Sequence, residues 1–304
     1  MTEDNSQLIN KLFKSSAVNS IILERKVFES LKKMKWQVSH SPYYIDVDSK
    51  KHREIDIVAS KYWNVKDDFS CRVNLLIECK SLKDYHIIVD NKRNAKRYEL
   101  KDFWLGNDNI FHYQKIRKLL KKAKTSENDI NAIVGKLDSY CCPDGIVCRN
   151  ADFIFDAFKI DAYNVFRETN IANTKDIDNS VIWKCQQSLS SCINSFDEFF
   201  WNDIDYSIKT IKNDSIFNSS DLVAEIVSGL INDVKHKEIV HPVIVVESNL
   251  WELNSDRMNK LNYFRLCFQQ LRDTELWVDI VHIDHVDEYF EKLKTYENFI
   301  KKIK

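Results

Sequence analysis

Residues 20–36, SIILERKVFESLKKMKW, place Ile21, Leu23, Val27, Phe28, Leu31 and Met34 at steps of three and four. Apolar residues at that spacing line one face of a helix, so the pattern predicts an amphipathic helix. The period then shortens. QVSHSPYYIDVDS (residues 37–49) is rich in β-branched and aromatic residues in loose alternation and is read as a strand. A polar turn at residues 48–52 leads into REIDIVASKYW, where Ile55, Ile57 and Ala59 are expected on one face and Glu54, Asp56 and Val58 on the other. CRVNLLIECKS (residues 71–81) repeats the alternation, with Leu75, Ile77 and Cys79 opposite Leu76, Glu78 and Lys80.

The short connections between these three strands suit antiparallel neighbours. Residues 84–178 are harder to read: residues 112–124 and 128–137 predict helices, and residues 151–166 are aromatic-rich with no clear period. Regular patterns resume with helices over 181–203 and 221–234, and a buried strand in HPVIVVES. A loop, a helix over 257–271, a strand over 276–283 and a closing helix over 286–303 complete the expectation. The reading is an α/β chain with one mixed sheet flanked by helices. It divides into residues 1–83 and 179–304, which form the core, and an insertion or subdomain at 84–178. No internal repeat is visible.

Composition narrows the class without naming a function. Four glycines and three prolines in 304 residues exclude collagen-like and low-complexity chains. Eight cysteines at irregular spacing in a chain this large are expected reduced, in the cytoplasm. The longest apolar runs are strand-sized, so no membrane partner is expected. A net charge of −1 carries no vote for nucleic acid, but its distribution does. Lys92, Arg93, Lys96 and Arg97, then Lys115, Lys118 and Lys122, form basic segments that would follow a phosphate backbone or serve as solvated helix faces. The aromatics among them, including Tyr85, Tyr98, Phe103 and Trp104, would stack bases or fill a small core.

Asp56, Glu78 and Lys80 carry the chemistry. Charges inside apolar strands are costly unless paired or metal-bound. If the two strands form a hairpin, alternation brings all three to one face. Two carboxylates there form an oxygen site suited to Mg²⁺ or Mn²⁺, and the lysine would orient a water and stabilise developing charge. These residues resemble the PD-(D/E)xK, or restriction-endonuclease-like, superfamily, whose signature is an acidic residue on one strand and E-x-K on the next. Here it reads Arg53-Glu54-Ile55-Asp56-Ile57 and Leu76-Ile77-Glu78-Cys79-Lys80, with Glu24 at the place of a glutamate in the preceding helix.

The resemblance spans residues 18–83 and extends, in order of elements, to the helix at Val181 and the strand at Val243. It implies a core of helix, three-stranded antiparallel meander, helix and strand. It also implies an endonuclease that hydrolyses phosphodiesters, with DNA the expected substrate and restriction or antiviral defence the expected setting. Asp56 and Glu78 would hold the metal with the Cys79 backbone carbonyl, Lys80 would position water, and Glu24 would orient Lys80 or hold a second ion. The chain departs from the family in having Ile55 where some members have proline, and Lys35 where a glycine closes the first helix.

Fainter signals accompany these. Gln186 or Gln187 occupies the helix where some members place a glutamine. Cys141, Cys142 and Cys148 would need Cys185 or Cys192 to complete a four-cysteine centre, and they lack CxxC spacing. No phosphate-binding glycine loop or HExxH is present. Homodimerisation, a role as effector subunit of a defence complex, and a catalytically silent binding module on the same fold stay open.

Overall fold

A computed structural model describes residues 2–65, 69–82, 85–93, 104–105, 109–141, 160–170, 180–213, 223–230, 236–269 and 275–293. The chain opens with helix α1 (Thr2–Phe13), which the pattern had not suggested, and continues into α2 (Ser16–Lys33), whose N-cap Ser15 accepts a hydrogen bond from the Val18 amide. Four strands follow: β1 (Gln37–His40), β2 (Tyr43–Ile45), β3 (His52–Glu54) and β4 (Ile57–Val65). Then come β5 (Phe69–Lys80), β6 (Tyr85–Arg93), β7 (Trp104–Leu105), α3 (Asn109–Lys122), α4 (Glu127–Cys141) and β8 (Ala162–Asn170). The long helix α5 (Val181–Asn213) and helix α6 (residues 223–230) lead to β9 (His236–Val246), β10 (Asn249–Asn254), β11 (Arg257–Leu261), β12 (Tyr263–Gln269) and β13 (Glu275–His282). A 3₁₀ turn, Ile283–His285, and helix α7 (Val286–Lys292) close the described chain.

One eleven-stranded mixed sheet runs in the order β1-β4-β5-β9-β13-β12-β8-β6-β10-β11, with β7 also paired to β9. β1, β4 and β5 form an antiparallel meander, and β9 lies parallel to β5 along its whole length. Residues 84–178 are not all peripheral to this sheet, since β6 and β8 are two of its strands. Both faces of the sheet are covered. Leu23, Val27 and Leu31 of α2 and Tyr289 and Phe290 of α7 pack on one face, against Ile57, Leu75, Ile77, Cys79 and Val243. On the other, Ile182, Cys185, Leu189 and Cys192 of α5 meet Leu76, Ile244, Val278 and Ile280. A third cluster joins α3, α4, α6 and the far half of α5 through Leu120, Ile133, Ile208 and Ile226. Among the described residues no helix is long and apolar enough to cross a membrane.

Four expectations need correction. Residues 257–269 form strands, not a helix. Phe264, Leu266 and Phe268 enter one core while Tyr263 packs on the other, so the polar alternation that marks a half-exposed strand is missing. Residues 249–254, expected as loop, are β10. The expected strand over 53–63 is interrupted: Ile55 bonds to the Pro42 carbonyl, and the Asp56 carbonyl accepts from Ser41. The break sends Ile55 and Ile57 into opposite cores, not to one face. The strand at 37–49 likewise splits into β1 and β2 at Ser41, whose φ is 51°. Helices begin as expected within 221–234 and at 286, but residues 221–222, 231–234 and 294–303 lie outside the described ones.

Two polar features hold this frame. Arg265 of β12 grips Asp279 of β13 with two hydrogen bonds of 2.6 and 2.9 Å. His241 of β9 (2.8 Å) and the Tyr289 hydroxyl of α7 (2.8 Å) also reach Asp279. All four are buried. Burial works against the Asp279 charge, but Arg265 and His241 overcome it and keep the carboxyl below its usual range. At the end of α2, Lys35 takes the left-handed position that favours glycine, with φ 61°. There the Trp36 amide reaches the Leu31 carbonyl (3.1 Å) and the Lys35 amide reaches Lys32 (3.0 Å), which closes the helix.

Lys35→Gly removes a left-handed strain of roughly 1–2 kcal/mol and concedes part of it to the looser unfolded chain. Urea unfolding should show a net gain of about 1 kcal/mol, and a loss would mean the lysine is not strained. Arg265→Met strands a buried carboxylate and should cost roughly 3–5 kcal/mol by the same measurement.

Candidate active site

β5 has seven successive buried residues, Val73–Cys79, because β4 and β9 flank it and helices cover both faces. Alternation then fixes what each side chain near its end meets. Cys79 turns into the α2 core beside Leu23 and Val27, and burial pushes its thiol pKa well up, so its sulfur is an inert core atom. Glu78, one residue earlier, faces α5 and is only 5% exposed. Lys80 follows on the same side, partly open to solvent at 30%.

Asp56 precedes the last described β4–β5 pair, Ile57 with Ile77, and so stands next to Glu78 where the hairpin ends. Its Oδ2 accepts the Cys79 amide at 2.6 Å and the Lys80 ammonium at 3.1 Å. The same ammonium donates to Glu78 Oε2 at 2.7 Å. Ser188 of α5 donates to the other Glu78 oxygen, Oε1, at 2.7 Å. The structure thus brings Asp56, Glu78 and Lys80 into direct contact.

Burial is the largest influence on Glu78 and raises its pKa; Lys80 opposes the rise and Asp56 adds to it. Burial also disfavours the charge on Lys80, yet Glu78 and Asp56 outweigh it and hold the ammonium protonated well above the ordinary lysine range. The gap between the two carboxylates is therefore a place for positive charge. A hard divalent cation fits the donor set: carboxylate oxygens, with Asp56 Oδ1 free of hydrogen bonds among the described residues.

Glu24 takes a different role from the expected one. Its oxygens accept from Ser20 (3.2 Å) and from His40 Nε2 (2.9 Å), and it makes no hydrogen bond to Lys80. It stays near the site, since its charge acts on Cys79. His40 ends β1 opposite Ile57, beside the Asp56 backbone. Gln186 is buried and Gln187 exposed, and neither is what touches Glu78. Ser188 does that, and Tyr44 of β2 donates its hydroxyl to the Ser188 carbonyl at 3.1 Å. One turn later Ser191 donates to Asp46 at 2.7 Å, and Asp46 is also ion-paired to Arg53 at 2.7 Å. These bonds hold the β2–β3 ribbon on α5. No sequence signal distinguished Ser188 from its serine neighbours, because its contact spans 110 positions.

Most of the expected basic surface is compensated or lies beyond description. Lys92 pairs with Asp161 (2.7 Å) and Lys122 with Asp205 (3.2 Å), while Lys118 is exposed. Lys96 and Arg97 lie outside the described residues, as do the side chains of Arg93 and Lys115. Cys185 and Cys192 are free, buried thiols, the latter pushed up to about 12 by burial. The side chains of Cys141, Cys142 and Cys148 are outside the described set. Compared with known proteins, the chain matches no family model, no curated protein and no solved structure.

Lys80→Met leaves two adjacent carboxylates and raises the Glu78 pKa further above its unfolded value. An acid with a raised folded pKa is fully tolerated at low pH and costs stability as pH climbs through the unfolded value toward the folded one. The stability deficit of the variant should therefore widen as pH rises above the unfolded carboxylate value of about 4.3, by about 1.4 kcal/mol for each tenfold weakening of the Glu78 acid. A deficit independent of pH in urea titrations would show that the ammonium does not compensate these acids.

Proposed function

We propose that this chain is a Mg²⁺- or Mn²⁺-dependent nuclease that hydrolyses phosphodiester bonds in DNA, built on a restriction-endonuclease-like core. The observation that carries the reading is the Lys80 ammonium bridging Asp56 and Glu78 at the mouth of a hairpin. The surrounding order of elements supports it: helix α2, the antiparallel meander β1-β4-β5, helix α5, and β9 parallel to β5. Lys80, Val246 and His282 also lie level at the carboxyl ends of three parallel strands, the edge where open α/β sheets receive ligands.

A metal held by Asp56, Glu78 and the Cys79 carbonyl would supply Lewis-acid stabilisation of the phosphate and activation of a water. The protein's own groups do the rest. The Cys79 amide fixes Asp56 Oδ2 and leaves Oδ1 to bind. Ser188 holds the Glu78 carboxylate at one oxygen so the other stays aimed at the centre. Lys80, protonated and able to donate three hydrogen bonds, orients the attacking water and neutralises charge that builds on the phosphate. Glu24 sets the orientation of His40 at the same edge.

Purified protein is to be incubated with supercoiled plasmid, single-stranded DNA and RNA, each with EDTA, Mg²⁺ or Mn²⁺. Metal-dependent cutting of DNA that both Asp56→Ala and Lys80→Ala abolish is the expected result; cutting that survives both would place the chemistry elsewhere. Ser188→Ala should weaken the metal response 10–100-fold and recover at high Mg²⁺, as loss of a ligand's hydrogen-bond partner does.

A further inference from the structure

Several described cations of the expected basic segments are paired within the chain: Lys92 faces Asp161, Arg117 and Lys121 of α3 face Glu127, and Lys122 faces Asp205. A different surface has the opposite balance. Lys32, Lys33 and Lys35, at the end of α2 and just beyond it, are exposed and have no carboxylate partner among the described residues. Lys61 of β4 lies over the Trp36 ring at 5.8 Å, and Lys32 lies over Phe28 at 5.1 Å, so both are held against the body of the protein. No acidic residue occurs between positions 30 and 45, between 57 and 65, or between 69 and 77. α2, β1, β4 and β5 therefore form an edge with cations and no acids in those spans.

This edge leads to the site. β4 runs from Ile57, beside Asp56, to Lys61, about 13 Å at a strand's rise per residue. α2 covers roughly the same distance from Glu24 to Lys32 or Lys33. β1 ends its pairing at Gln37 with Ser60, so beyond it the outer side of β4 faces no strand among the described residues, and Tyr62 there is 51% exposed. Lys35 adds an independent indication. It occupies a left-handed position where glycine would be unstrained, and it puts a charge there at a cost in strain.

Resting on the nuclease reading of the site, we infer that the sugar–phosphate backbone of the DNA substrate lies along this edge. Lys32, Lys33 and Lys35 are its phosphate contacts. Lysine suits that task because an ammonium on a flexible stem meets phosphates as a point charge and reads no sequence. A phosphate track of this kind carries the salt dependence of binding: each contact contributes about −0.9 to the slope of log K against log salt on duplex DNA.

The test is fluorescence anisotropy of labelled duplex DNA with the full chain in EDTA, across a salt series, with an RNA duplex in parallel. Wild type is compared with Lys35→Gly, the double variant Lys32→Glu/Lys33→Glu, and Lys118→Glu on α3 as control. Lys35→Gly should bind more weakly and lower the slope by about 0.9, although it is expected to fold more stably, so misfolding cannot mimic the result. The double variant should lose roughly twice that, and Lys118→Glu should match wild type. Unchanged slopes in the α2 variants, a slope set by Lys118, no DNA binding by wild type, or binding of RNA in place of DNA would each overturn the track. Cutting with Mg²⁺ is scored separately. DNA binding that depends on these lysines without cutting would leave the track standing and remove the nuclease reading. Cutting that persists with unchanged binding would do the reverse.

Discussion

Lys80 bridges two carboxylates at the end of a strand whose preceding residues are out of water, and the layout around it follows from the cost of desolvating those charges. Removing an ion from water costs several kcal/mol even after relaxation, and a buried pair is tolerable only when every oxygen and proton finds a partner. Here Glu78 has Lys80 on one oxygen and Ser188 on the other. The less buried Asp56 has both the Lys80 ammonium and the Cys79 amide on Oδ2, with Oδ1 unbonded among the described residues. Those partners come from the end of β5, the break before β4 and a helix turn on α5. The cluster exists only if the meander, the parallel β9 and α5 are all in place.

The same sheet carries a second buried charge cluster, with a different consequence. Asp279, Arg265, His241 and Tyr289 tie β13, β12, β9 and α7 together with nothing exposed. It has no opening to a substrate and it acts on rigidity. By locking β9 against β13 it fixes the strand beside Lys80. Glu247, just past β9, accepts from Ser81 and donates its amide to the Lys80 carbonyl at 3.4 Å, so the rigid half of the sheet reaches the residue that bridges the acids. A centre that depends on sub-ångström placement benefits from such a frame.

Charge on the outside is arranged as unevenly as charge within. A net charge of −1 results from near-equal numbers of acids and bases, but pairing removes Arg117, Lys121 and Lys122 of α3 from the field and leaves Lys32, Lys33 and Lys35 at and just beyond the end of α2. Local field at a surface depends on which charges lack an opposite neighbour within a Debye length, about 8–10 Å at physiological salt. Counting lysines along the chain cannot supply that, because Asp205 neutralises Lys122 across 83 positions.

Periodicity alone determined the helix α2, the helix at 181 and the α/β class, because one exposed face leaves an alternating or three-to-four-residue imprint. The strand through Glu78 was legible despite two buried faces because Glu78 and Lys80 punctuate its apolar run. The pattern also singled out Asp56, Glu78 and Lys80, because charges in apolar surroundings stand out, although Asp56 lies in the break before β4 and not in a strand. Only tertiary structure decided the remainder. β12 reads as a helix because both its faces are buried and no polar rhythm survives; Ile55 changes side because Pro42 and Ser41 bond across the break. Glu24 turned to His40, and Ser188 was chosen from a run of serines, through contacts that close only when α2, β1, β5 and α5 meet. Local sequence encodes which side chains leave water, but hydrogen-bond and ion-pair partners are set by distance in space, which a single chain reveals only once folded.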